Sequence, residues 1–214
     1  MNVENLRSLR IASRRLAERC PVMARAAAIC GTPPWRCDEV GYPGLARTIV
    51  YQQLSGRAAA TIWSRVKALL PVVSPSTVLG AGVEDLRGCG LSRGKVEHLR
   101  SIAEAVRSGD LNFDRVASAG DDEARAELTS VRGVGPWTAD VYLMFSLRRP
   151  DVFPHGDLGL AEAYRVLAGL KDRPSPRELL EFAEIWRPAR AVAAHLLWSS
   201  LNVSRAAVKG QAGD

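Results

Sequence analysis

Apolar residues recur at helical spacing along almost the whole of this chain, and runs alternating β-branched with polar residues are close to absent. That pattern confines the 214 residues to an all-α fold. Leu6, Leu9 and Leu16 punctuate an arginine-rich first helix, and Pro21 suits the first turn of a second. Residues 31–44, with Pro33, Pro34 and Pro43, read as a connector. From Leu45 the runs LARTIVYQQL and RAAATIWSRVKALL form two buried helices, broken at Ser55-Gly56. Short helices are predicted near 75–80 and 83–88, a longer one from a Ser92 N-cap through Val106, and others over 121–131 and from Pro136 through Phe145. Three more close the chain near 157–169, 175–186 and 189–201, with fraying from Val208. The connectors at 31–44 and 148–156 are natural seams, so two lobes are expected. One is built from both ends, 1–44 with 149–214, and the other is 45–148.

Composition narrows the partners less than the fold. Lys+Arg 29 against Asp+Glu 23 leaves a net charge of +6, compatible with a polyanionic partner or with none. Only four of the basic residues are lysines (Lys67, Lys95, Lys171, Lys209). Arginine binds phosphate bidentately as lysine cannot, but the same bias follows from genome composition alone. Cys20, Cys30, Cys37 and Cys89 show neither Cys-x-x-Cys spacing nor a histidine close by, and read as small buried hydrophobes. The N-terminal MNVENLRSLRIASRRLAERC lacks the apolar run of a signal peptide, and no stretch approaches the ~18 apolar residues of a membrane span. The expectation is a cytoplasmic protein, nucleoid-associated if bacterial, with reduced thiols and no membrane partner.

Chemistry concentrates in two segments. In Leu128-Thr-Ser-Val-Arg-Gly-Val-Gly-Pro-Trp-Thr-Ala139, Gly133 and Gly135 allow a tight turn that a ligand can approach closely, there being no Cβ. Pro136 then opens a helix whose first N–H groups point outward, an arrangement that suits a phosphate. An ordinary turn between helices with a glycine cap has the same local pattern. About twenty residues on, Asp151-Val-Phe-Pro-His-Gly-Asp157-Leu-Gly-Leu160 is a Pro/Gly loop ending in an aspartate at a helix start, and Asp157 taken alone is most simply an N-cap.

Together the two segments resemble the helix-hairpin-helix DNA glycosylase superfamily, with the helix-hairpin-helix motif at about 121–147. Trp137-Thr138-Ala139, the stretch IVYQQLS at 49–55, and Trp186-Arg-Pro-Ala-Arg190 followed by Trp198 look like its 3-methyladenine DNA glycosylase II branch, in a compact form without an N-terminal β domain. The resemblance covers roughly residues 45–200. It implies a two-lobed helical fold with the active-site cleft between lobes, and excision of alkylated purines such as 3-methyladenine and 7-methylguanine to begin base excision repair.

The resemblance also assigns residues. Asp157 is the implied catalytic carboxylate. Gln53 is the side chain inserted into the base stack, with Leu54 beside it, since the target nucleotide must be flipped out at a cost of a few kcal/mol. Trp137 and Trp198 are pocket rings, where cation–π attraction for a cationic base is worth ~0.5–2 kcal/mol each. Val141 stands where relatives often carry tyrosine, and Tyr142, one residue on, is the expected partial replacement. Trp63 and Trp186 read as core. Arg132, Gly133, Val134 and Gly135 are the DNA-backbone contacts. Some relatives hold a monovalent cation, Na+ or K+, on hairpin carbonyls, here those of Val131 and Val134.

Trp137 replaces the lysine with which bifunctional relatives form a Schiff base, so a monofunctional enzyme without lyase activity is implied. No cysteine follows Cys89, so no iron–sulfur cluster is expected, nor any required cofactor. The implied protein is a monomer whose partners are damaged double-stranded DNA and a downstream abasic-site endonuclease. His155 falls in a loop where relatives vary and either touches the base or faces solvent. Two rivals remain at this point. One is a non-catalytic helix-hairpin-helix module, which needs neither the carboxylate nor the pocket; the other is a glycosylase for oxidised or mismatched bases, or a lyase.

Overall fold

A computed structural model describes residues 6–211, the side chains of 209–211 aside, and contains no strand among them. The all-α reading therefore holds. The helices are α1 (Leu6–Arg19), α2 (Pro21–Cys30), α3 (Tyr42–Tyr51), α4 (Gly56–Leu69), α5 (Pro75–Gly80), α6 (Val83–Gly88), α7 (Arg93–Ser108), α8 (Phe113–Ser118), α9 (Asp121–Thr129), α10 (Pro136–Phe145), α11 (Leu158–Ala168), α12 (Pro176–Ala183) and α13 (Arg190–Gln211), with a 3-10 turn at Glu184–Trp186. Short polar residues start many of them. The Ser55 hydroxyl accepts from Ala58 N–H, Ser92 from Lys95 N–H and Ser175 from Glu178 N–H, meeting first-turn donors that would otherwise lack a partner.

The chain divides into two compact units, Asp38–Leu147 and a unit made of the residues up to Cys37 with those from Arg148 onward. Residues 38–44, expected with the terminal lobe, belong to the central unit. Asp38 N–H donates to Phe145 O at 3.1 Å, the Asp38 carboxylate pairs with Arg47, and Pro43 lies in the first turn of α3, which starts ahead of Leu45. In the central unit α3 packs on α4, α7 and α10, and α9 on α8 and α10. Leu45, Ile49, Leu86, Leu99, Ile102, Leu128 and Leu143 are fully enclosed there, each stabilising the fold by ~1.5–3 kcal/mol. In the terminal unit α2 packs on α1, α11 and α13 around Leu9, Met23 and Leu160. Arg25 Nε fastens α2 to the end of α11, donating to Leu167 O at 2.6 Å.

Three sequence expectations are corrected. Helix α8, six residues long, lies outside the predicted helices; Asn112 Oδ1 accepts from both Asp114 and Arg115 N–H and starts it, a local N-cap that the apolar spacing does not mark. The last helix, expected over 189–201, extends as α13 to Gln211, because neither proline nor glycine interrupts 190–209. Of the cysteines, Cys20 and Cys89 are buried as expected, whereas Cys30 is half-buried and Cys37 exposed. Trp63 and Trp186 are core residues, 6% and 1% exposed.

Candidate functional site

The turn between α9 and α10 is built almost entirely from backbone. Val134 N–H donates to Val131 O at 3.1 Å, and both valine side chains are buried, so backbone atoms form much of its outer face. Gly133 has φ +96°, and a Cβ there would lie 2.4 Å from His98 Cγ; both facts require glycine. At Gly135 a Cβ would meet nothing within 4 Å, so space outside the turn is open. The N–H groups of Gly133 and Gly135 find no acceptor among the described residues. They precede Pro136, which needs none. Two adjacent donors at a helix start suit an anion. Arg132 is exposed and rests on Glu97, 3.2 Å away; a surface pair of this kind is worth ~0–1 kcal/mol and yields readily to a phosphate.

Beside this turn, α3 ends at Tyr51 and the chain reverses through Gln52 and Gln53. Gln53 is exposed with φ +55°, a left-handed conformation that side chains seldom adopt, and Leu54 is 40% exposed. Two residues that the sequence reading did not single out hold this turn. Gln52 Nε2 donates to Gly133 O at 3.2 Å and to Thr138 Oγ1 at 2.8 Å, tying the reversal to both sides of the glycine turn. Lys95 Nζ donates to Val50 O at 2.7 Å and Gln52 O at 2.9 Å, satisfying carbonyls at the end of α3; burial holds its pKa below the ordinary lysine value. Lys95 lies in the first turn of α7, where the helix dipole disfavours a cation. That local misfit is the signal that could have marked it.

On α10, Trp137 is half-buried and Val141 is 6% exposed. Tyr142, expected to replace a pocket aromatic, is a core residue instead. It is fully buried, packs against Phe113 with centroids 5.7 Å apart and planes at 46°, and accepts Gly41 N–H at its hydroxyl, 2.9 Å away. Desolvation of the phenolate pushes its pKa up to about 12. One helical step from Val141 turns a side chain about 100° around the axis, here into the core.

In the terminal unit Asp157 is the N-cap of α11, as its position alone suggested, and more than that. Its Oδ1 accepts Leu160 N–H at 2.8 Å and the indole Nε1–H of Trp198 at 3.0 Å. Gly159 leaves room for this junction, since a Cβ there would lie 2.9 Å from Oδ1 and 3.5 Å from the indole nitrogen. The approaching loop folds on itself: His155 N–H donates to Phe153 O and Asp157 N–H to Pro154 O, both at 2.9 Å. Arg187 and Arg190 grip Asp151 at its base, and Ala191 N–H donates to Pro150 O at 3.0 Å. The carboxylate thus stands on a braced support. Asp157 and Trp198 are both half-buried, as is His155.

Behind Trp198 lie two further rings outside the sequence reading. His195 meets Trp198 edge-on, centroids 6.4 Å apart at 85°, and lies 4.4 Å from Trp35 of the connector, the planes 30° apart. Burial, with the charge of Arg36 adding, lowers the His195 pKa to about 3. The imidazole is therefore neutral near pH 7.

Among the described residues no group of three or more His, Cys, Asp or Glu is placed to hold a metal ion, and no helix is long and apolar enough to cross a membrane. A family model described as HhH-GPD superfamily base excision DNA repair protein matches residues 46–188. DNA-3-methyladenine glycosylase 1 of Schizosaccharomyces pombe is 36% identical over 163 residues, 74% of this chain and 72% of that protein. The solved structure of an S. pombe 3-methyladenine DNA glycosylase in complex with abasic DNA superposes with a TM-score of 0.79 at 31% identity, covering 88% of this chain and 95% of that one. A DNA-3-methyladenine glycosidase from Bacillus halodurans gives 0.73 at 29%, covering 96% and 94%. Against a Bacillus subtilis relative, 29% identical over 176 residues, the chain spans 61% of the length.

Proposed function

The chain belongs to the HhH-GPD superfamily of base excision DNA repair proteins, and from that premise we propose that it is a DNA glycosylase that releases alkylated purines, 3-methyladenine and 7-methylguanine among them, by hydrolysing the N-glycosidic bond. The single observation that carries the reading is Asp157, a carboxylate fixed by two donors on a braced loop in a chain whose relatives are named for this activity. Breaking the bond places oxocarbenium character on the sugar, and a fixed carboxylate stabilises that charge without having to reorganise. It also orients the water that ends on C1′. An alkylated purine already carries positive charge and departs without a second carboxyl group to protonate it. Trp198, hydrogen-bonded to the carboxylate, is the ring proposed for the base on this unit.

In the central unit the roles are binding and exposure of the nucleotide. The N–H groups of Gly133 and Gly135 take a backbone phosphate, with Arg132 beside them and Val134 shaping the turn. Gln53 and Leu54 fill the stack when a nucleotide leaves it. Trp137, with Val141 nearby on α10, is the base-facing candidate of this unit. A monovalent cation on the carbonyls of Val131 and Val134 is compatible with the turn, because a carbonyl oxygen has two lone pairs and Val131 commits one to Val134 N–H. The ion would bridge protein and phosphate.

With Trp137 where a lyase carries its lysine, no amine is positioned to trap the sugar, and the product is an intact abasic site for a downstream endonuclease. The protein acts as a monomer and needs no redox or metal cofactor for this chemistry. Incubation with single-lesion duplexes tests the reading. Release of free alkylated purine, with no adduct trapped by borohydride, is expected. DNA binding without release from any lesion would leave only a binding module, and a trapped adduct would make the protein a lyase.

A further inference from the structure

Trp198, half-buried and well inside α13, supplies an N–H to the candidate catalytic carboxylate, and an indole holds that orientation only if something holds the ring. The neighbouring rings do this. We propose that His195 is a positioning residue, clamped by Trp35, that fixes the Trp198 indole so that its N–H stays on Asp157 Oδ1. The proposal rests, for its catalytic consequence, on the glycosylase reading above; the clamp itself does not.

The geometry runs in one line within the terminal unit. Trp35 covers one face of His195 at 4.4 Å, His195 meets Trp198 edge-on at 6.4 Å, and Trp198 Nε1 lies 3.0 Å from Asp157 Oδ1. Edge-to-face aromatic pairs hold rings in defined orientations. His195 is only 3% exposed, so it is not a solvent-facing acid or base. The neutral imidazole suits this position, since a proton there would be stranded in a desolvated site near Arg36. A cavity of about 260 Å³ adjoins both rings, lined by His195 and Trp198 together with Pro33, Pro34, Arg36 and Asn202. With His195 gone, the indole has that space to turn into. Trp35 comes from the proline-bearing connector, which places a segment distant in sequence under the carboxylate's donor.

The experiment compares full-length wild type with His195→Ala, His195→Phe and Trp35→Ala. The indole N–H signals are followed by NMR in 15N-tryptophan-labelled protein, the Trp198 signal being identified by its loss in Trp198→Phe. Base release is measured in a single turnover with enzyme in excess, and affinity on undamaged duplex. His195→Ala is expected to speed hydrogen exchange at the Trp198 indole about tenfold and to slow base release about tenfold, with undamaged-duplex affinity unchanged, because a slightly misplaced group costs rate and leaves binding intact. His195→Phe, which keeps the ring, should restore both, and Trp35→Ala should show the same change more weakly. An unchanged Trp198 signal in His195→Ala, or a phenylalanine variant no better than alanine, overturns the proposal. An indole that loosens as expected in a protein that releases no base supports the clamp and refutes the glycosylase reading instead.

Discussion

The glycine turn of the central unit and the carboxylate of the terminal unit are built from different materials. At 131–136 much of what is offered outward is backbone, fixed by the positive φ of Gly133 and the absence of a Cβ there. At Asp157 the group offered is a side chain, capped locally by Leu160 N–H and held from afar by an indole 41 positions away with rings from residues 195 and 35 behind it. A phosphate occurs at every nucleotide, so a rigid local turn that contacts it without regard to sequence suffices. On the proposed function, stabilising charge at one sugar carbon demands finer placement, and it is long-range contacts that hold the Asp157 carboxylate. The same contrast governs what substitution can do. The turn fails when a side chain is added at Gly133, the carboxylate when a particular side chain leaves.

Mutations within the turn break this contrast most sharply. Gly133→Ala is expected to destabilise the protein by about 2–5 kcal/mol, from strain at positive φ and the clash with His98, measured as a lower denaturant midpoint with unchanged slope. Gly135→Asp should leave stability within about 0.5 kcal/mol, since space there is open, while weakening binding to damaged and undamaged duplex alike by about tenfold at low salt through repulsion of the phosphate. Equal effects of the two substitutions on stability would contradict the description of the turn. Lys95→Met removes the donor that holds Val50 O and Gln52 O, and is expected to slow base release about tenfold with binding to undamaged duplex hardly changed. Retained release would mean that Gln53 needs no such brace.

The smallest expected effect concerns acid. Burial lowers the His195 pKa in the folded protein to about 3, from 6.5 for an ordinary histidine. The unfolded chain therefore binds the proton first. This site contributes its full stability above pH 6.5, loses it as pH falls from there towards 3, and loses no more below. His195→Phe should lower the melting temperature less than wild type between pH 7 and pH 4.5, and equal slopes would contradict a buried neutral ring.

How much of this was legible in the sequence follows the same divide. Gly133-Val134-Gly135-Pro136 announces its turn because glycine and proline act locally, and Asp157 announces its cap for the same reason. The helices from Ser92 and Pro136 were legible from a cap and a period. Tyr142 was not, because one helical step turns its ring about 100° away from Val141, and in a helix buried as fully as α10 no polar face marks which way that is. Gln52 and Lys95 act through bonds spanning 43 to 86 positions, and the pairing of Trp35 with His195 spans more of the chain still. No local pattern encodes such contacts, although a lysine in the first turn of a helix was a misfit worth noticing. The charge balance illustrates the same limit. A net +6 named no site, and several arginines, among them Arg115, Arg165 and Arg187, are paired with carboxylates.

The central claim is that Asp157 carries the chemistry while the turn carries the grip. Single-turnover release of 3-methyladenine by Asp157→Asn, with affinity for the same duplex measured alongside, tests it most directly. Asparagine keeps the cap and an acceptor for the indole N–H but not the charge, so the account predicts loss of release by at least ~10²-fold with affinity essentially retained. Release at the wild-type rate, or loss of affinity in step with loss of rate, would contradict it.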